Sequence, residues 1–183
     1  MKKLLFETAL DAAEDVMRQI SPNMVALPTP CAEWNLQQLL NHLYNELAWV
    51  PELLAGKTIK QVGDALDGDL VGDDPQHTWR AYADAARAAT QNVPPEKVVH
   101  LSYGNVPAAD YLNEMAGEVV VHVWDVAQAI GHKFTISEEL AEEVYEQTKN
   151  KAAEWRKLGL LGEPKLISPV ANTEAKLLSL FGR

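Results

Sequence analysis

The sequence predicts an all-α fold, with four long helices as a bundle and shorter helical additions. Three observations carry this reading. Apolar residues recur at three- and four-residue steps through four separated stretches. Capping residues, prolines and glycines bound those stretches. Only one short segment reads as extended. With 183 residues, 47% of them hydrophobic, the chain has the material for one full core. Residues 1–183 are therefore expected to form a single domain.

The first helix is expected over Lys3 to Ile20, where Leu4, Leu5, Ala9, Ala12, Ala13, Val16 and Ile20 share a side. Ser21, Pro22 and Asn23 stop it, and Met24 to Trp34, with Pro28 and Pro30, reads as a loop. Asn35 and Gln38 have the spacing of a capping box. The second helix follows through Leu36, Leu39, Leu40, Leu43, Leu47 and Val50, and Pro51 is expected to bend or end it. Gly56 to Asp73 holds four glycines and several acids and reads as a long loop with one short turn of helix.

Asp74 followed by Pro75 is a helix start. The third helix runs from there to about Asn92, with Trp79, Tyr82, Ala85, Ala86 and Ala89 along one side; Pro94 and Pro95 close it. Val98 to Tyr103 reads as short and extended. A fourth helix is expected over about Pro107 to Ile130, with Gly131 as its C-cap. The β-branched run Val119, Val120, Val121, Val123 and Val126 would also suit a strand. Length decides for a helix, since the apolar pattern continues from Tyr111 to Ile130. A fifth helix is expected from Thr135 or Ser137 to about Leu158, and a last short one from Asn172 to Leu180.

The formal net charge of −10 makes phosphate backbones and anionic membrane surfaces poor partners. No run of about 18 apolar residues predicts a transmembrane helix. Acids at Glu7, Asp11, Glu14 and Asp15 interrupt the N-terminal apolar patch too early for a signal-peptide core. The single cysteine, Cys31, excludes an internal disulfide and any CxxC site. A cytoplasmic location is the expectation.

The candidate chemistry lies on the fourth helix. Glu118 precedes His122 by four residues, which on a helix puts both side chains on one face with Cβ atoms roughly 5–6 Å apart. Polar groups in so apolar a stretch need partners. His42 on the second helix is the candidate third ligand, on a stripe with Glu46 and Trp49. Two imidazoles and a carboxylate suit a divalent transition metal, zinc most readily, and three protein ligands leave positions open for water or substrate. A surface ion pair has the same spacing, and the more specific HExxH motif is absent. Glu46 has three readings: a fourth ligand, a base for metal-bound water, or a solvated side chain, with the solvated reading the default. Asp125, about one turn beyond His122, suits either orienting a ligand or a structural ion pair. Trp49 is the aromatic placed to line a pocket, whereas most other tryptophans read as core. Cys31 reads as a small buried hydrophobe rather than a nucleophile. His77, His100 and His132 lack paired spacing and read as surface or loop residues.

Three stretches, TPCAEWNLQQLLNHL, EVVVHVWDVAQAIG and AKLLSLFGR, together resemble the metal-binding N-terminal domain of mycothiol-dependent maleylpyruvate isomerases, within the DinB-like superfamily. They resemble its stand-alone actinobacterial members most. The resemblance covers nearly the whole chain. It implies a DinB-like four-helix bundle that holds a divalent metal, zinc or alternatively nickel or another transition metal, through His42, Glu118 and His122. It also implies mycothiol or a similar low-molecular-weight thiol as co-substrate, activated as a metal-bound thiolate, and a homodimer as the common assembly of the superfamily. Two-domain isomerases carry a further C-terminal domain that contributes to their site. This sequence stops after the bundle and a short tail, so maleylpyruvate isomerisation itself is not the expectation. Many DinB-like proteins use three histidines, so Glu118 points to the isomerase-like branch. The leading expectation is a metal-dependent thiol S-transferase acting on small electrophiles, with Glu46 or Asp125 assisting. The alternative is a non-catalytic metal- or ligand-binding bundle.

Overall fold

The computed structural model describes residues 3–31 and 33–183. Met1 and Lys2 of the N-terminal patch, and Ala32 in the loop before the second helix, lie outside the described residues. The elements are α1 (Leu5–Met17), α2 (Leu36–Leu54), α3 (Ile59–Val62), α4 (Pro75–Thr90), β1 (Val98–Leu101), β2 (Gly104–Pro107), α5 (Ala108–Ile130), α6 (Glu138–Thr148), α7 (Ala152–Lys157) and α8 (Thr173–Leu180). A single 3-10 turn, Pro22–Met24, follows α1.

The fold is an all-α, DinB-like bundle. Four helices close a ring: α1 packs on α5, α5 on α2, α2 on α4, and α4 on α1. Each turns an apolar stripe inward, and Phe6, Leu10, Leu40, Leu43, Leu47, Trp79, Val119 and Val123 meet in one core. The ring is pinned by side chains that cross between helices. The Tyr44 hydroxyl donates to the Pro75 carbonyl at 2.8 Å, and the Trp79 indole donates to Glu14 at 3.2 Å. Outside the ring, α6 lies against α5 and α1 and carries α8. Among the described residues, no helix is long and apolar enough to cross a membrane.

Local signals account for most helix ends. The Asn35 carboxamide accepts from the Gln38 amide while the Gln38 side chain accepts from the Asn35 amide, completing the capping box. Asp74 caps α4 through the His77 amide, with Pro75 in the first turn. Gly131 closes α5 at φ 68°, in the left-handed region where a side chain is strained.

One expectation is corrected and two are refined. Helix α2 runs through Pro51 to Leu54. The proline removes one N–H in the last turn, and burial of Leu53 and Leu54 in the core outweighs that loss. The fifth expected helix is broken into α6 and α7. At the break the Lys151 amide bonds to Thr148 in a three-residue step that re-aims the next turn, and Ala152 becomes buried. The extended stretch is the first arm of an antiparallel hairpin, Leu101 opposite Gly104 and Val98 opposite Pro107. Its second arm is Gly- and Pro-bearing and so carries little strand signal.

Candidate metal centre

The site lies where α2 passes α5, beside a cavity of about 770 Å³. The capping box fixes where α2 begins, and so sets His42 two turns in and Glu46 and Trp49 further along. All three line the cavity, with Met115, Glu118 and His122 of α5 opposite. Trp34, just before the cap, lies against the His42 ring at 4.9 Å between centroids and against His122 at 6.2 Å. Its loop is folded by Thr29, whose hydroxyl donates to the Trp34 carbonyl at 2.8 Å and accepts from the Cys31 amide at 3.1 Å.

His42, Glu118 and His122 converge. Glu118 Oε2 is 3.1 Å from His122 Nε2 and 3.5 Å from His42 Nε2. One donor atom from each lies within 4.8 Å of the others, close enough to share one cation. Two imidazole nitrogens and one carboxylate oxygen form the mixed donor set that zinc and its neighbours accept, so the residues present fit a divalent transition metal.

The charges are set by the same geometry. Burial alone would push the Glu118 carboxyl up, but hydrogen bonds and charge from His122 and His42 hold it well below the usual carboxylate range. Burial would lower His122; its hydrogen bonds to Asp125, Cys31 and Glu118, together with the Glu118 charge, raise it well above the usual imidazole value. Burial raises the Glu46 carboxyl, and the Glu118 charge raises it further. Glu46 is thus half-buried in the cavity wall rather than solvated.

Behind His122 stands a second polar group. Asp125 is fully buried. The His122 Nδ1–H donates to its Oδ2 at 3.3 Å, which leaves Nε2 facing Glu118 and His42. Arg183 clasps the same carboxylate, Nε donating to Oδ1 at 2.7 Å and Nη2 to Oδ2 at 2.7 Å. Asp125 is therefore an ion-pair partner and a partner of His122 together. The Cys31 thiol donates to Asp125 Oδ2 at 3.2 Å and accepts from Arg183 Nη2 at 2.8 Å. Cys31 is half-buried and hydrogen-bonded, not the inert buried hydrophobe expected from its sequence context.

Of the tryptophans, Trp49 faces the cavity as expected, and fewer of the others are full core than expected. Trp79 alone among them is fully buried, while Trp34, Trp49 and Trp155 line the cavity. Its far wall holds Glu114, which accepts from Lys151 at 2.9 Å and from the Tyr103 hydroxyl. Tyr111 lies there too, and its hydroxyl is the one buried side-chain polar atom without a hydrogen-bond partner among the described residues. His77 is exposed, and His100 and His132 are half-buried and bonded to Asn105 and Asp15, away from the cavity. Sequence reasoning missed Arg183 and Tyr111. For Tyr111 a signal exists, since it shares a helical stripe with Met115, Glu118 and His122. For Arg183 the signal is weaker: it ends the AKLLSLFGR stretch, but its partners Cys31 and Asp125 lie far away along the chain.

No curated protein and no solved structure matches the chain. The family model described as the mycothiol maleylpyruvate isomerase N-terminal domain matches residues 6–127, which include α2, α4, all but the first residue of α1, most of α5 and all three converging residues, and the chain accordingly belongs to that family.

Proposed function

We propose that the chain is a single metal-binding domain whose His42, Glu118 and His122 hold a divalent cation, zinc most readily. We further propose that it transfers a low-molecular-weight thiol of the mycothiol type to a small electrophile. The observation that carries this is the convergence of three donor atoms on the wall of a cavity large enough for a small-molecule thiol and its acceptor. The family's printed name, with its mycothiol link, supports the choice of thiol. A bound cation of this class supplies the positive charge that makes a thiol acidic at neutral pH.

The chain's own residues supply the rest. Glu46 faces the same cavity with a raised carboxyl pKa. That suits a group that takes the thiol proton as sulfur forms its bond to the electrophilic carbon, and then returns it to the atom that gains the electron pair. Asp125 orients His122 by accepting its Nδ1–H. Trp49, with Trp34 and Trp155, forms the aromatic wall against which the thiol's body would lie.

Elemental analysis of the purified protein tests the site, paired with His42→Ala, Glu118→Ala and His122→Ala. Stoichiometric metal in the wild type and its loss in each variant is the expected result. Wild type without metal, or metal retained by His122→Ala, ends this reading. Bound metal without turnover of any thiol–electrophile pair would assign the bundle to metal or ligand binding alone.

A further inference from the structure

Among the described residues, two sets of side chains have metal-ligand geometry, and they share His122. One is His42, Glu118 and His122; the other is Cys31, His122 and Asp125. By donor chemistry the second is the softer and more attractive to zinc, because it offers a thiol. The two sets differ in what already occupies them.

In the second set every acceptor is spoken for. Asp125 Oδ1 takes Arg183 Nε at 2.7 Å. Asp125 Oδ2 takes Arg183 Nε at 2.9 Å and Nη2 at 2.7 Å, the His122 Nδ1–H at 3.3 Å and the Cys31 thiol at 3.2 Å. A carboxylate has about four lone-pair sites, and four donors meet this one in five contacts, which leaves none free. Arg183 Nη2 also reaches Cys31 Sγ at 2.8 Å. The guanidinium therefore sits among the donors that a metal would need, and its permanent positive charge would repel a cation brought there. In the first set, Glu118 Oε2 meets only the two imidazoles, and the carboxylate is partly exposed to the cavity.

We infer that Arg183 acts as a resident cation that closes the Cys31–His122–Asp125 set to metal and so confines a bound ion to the His42–Glu118–His122 side of the His122 ring. Arg183 is thus a specificity-determining residue, and it lies outside the span matched by the family model. The inference rests on the proposed triad site for the place where metal binds in the wild type. It stands apart from that site in what removal of the guanidinium would create.

Cobalt(II) titration read by absorption spectroscopy separates the two sets, because a cysteine thiolate on cobalt gives a sulfur-to-metal charge-transfer band and imidazole and carboxylate do not. Wild type is expected to show no such band. Arg183→Met is expected to show it, and Arg183→Met/Cys31→Ser to lose it. Arg183→Lys keeps a positive charge and is expected to stay without the band. Arg183→Gln keeps a donor for Asp125 without the charge and carries the same expectation as Arg183→Met, which guards against a variant that fails to fold. A thiolate band in wild type or in Arg183→Lys overturns the inference, as does its absence from folded Arg183→Met and Arg183→Gln. His42→Ala tests the triad separately. Equal cobalt binding by wild type and His42→Ala sinks the triad reading, whereas the band in Arg183→Met/His42→Ala persists if the inference is right, because the second set does not use His42.

Discussion

Along α5, Val119, Val120, Val123 and Val126 are buried in the core, whereas Glu118 and His122, interleaved among them, meet the cavity and one another. The two faces of this helix have opposite requirements. The dry face is held by area removed from water and by close packing, and tolerates no polar atom. The polar face keeps charged groups at the edge of that core by giving each of them partners. Glu114, Glu118, His122 and Asp125 on it are all bonded, and the Tyr111 hydroxyl is the one buried side-chain polar atom among the described residues without a partner, so the face is largely settled electrostatically before any ligand arrives. One helix can thus be the centre of the core and the floor of the site, provided its polar residues fall at three- and four-residue steps.

Breaking the dry face should give the largest effect. Phe6→Ala on α1, which packs on α5, is expected to destabilise by about 3–5 kcal/mol in urea unfolding, while the folded fraction keeps wild-type zinc stoichiometry. Next comes the polar face. Zinc at 100 times its dissociation constant should stabilise the wild type by about 2.7 kcal/mol, read as a raised melting temperature that chelation reverses. His42→Ala should lose that gain.

The pH dependence sharpens the same contrast. Without metal, the raised His122 pKa favours folding below the unfolded imidazole value of about 6.5, and that contribution is lost as pH rises through the folded value. The lowered Glu118 pKa favours folding above the unfolded carboxylate value and is lost on acidification. Zinc needs a neutral imidazole, so its stabilisation grows with pH. Melting curves on the alkaline side should therefore fall for chelated protein, while the gap between loaded and chelated protein widens. Two smaller effects follow. Asp125→Asn should weaken zinc binding by about 10- to 100-fold in chelator competition. Asn35→Ala should cost about 1 kcal/mol of stability through the lost cap and leave zinc affinity within error.

What could be read from the sequence was what short-range physics controls. The helices declared themselves by apolar spacing, and Asn35, Asp74 and Gly131 marked ends because a cap acts within four residues. Glu118 and His122 were legible as a pair for the same reason. Elements decided at a distance were not. Pro51 reads as a stop until the burial of Leu53 and Leu54 is known, and spacing alone does not show the break that leaves Ala152 buried. That His42 meets Glu118 requires α2 to neighbour α5, and Arg183 reaches Asp125 only because the segment after α8 returns to the cavity. Tight polar clusters assembled from remote positions leave no periodicity behind.

Helix α8 delivers Phe181 to Gly117, where a Cβ would lie 3.3 Å from the ring, and so brings Arg183 to a thiol 152 positions earlier in the chain. Synthesis proceeds from the N-terminus at about 5–20 residues per second, so Cys31 leaves the ribosome many seconds before the guanidinium that will cover it. During that interval the nascent chain has a bare cysteine. If zinc is captured by a partly made bundle, its first thiol ligand is available before its natural competitor exists. Docking of the last helix is then the step that corrects the choice, and the order of chain emergence becomes part of how the finished protein selects its ligands.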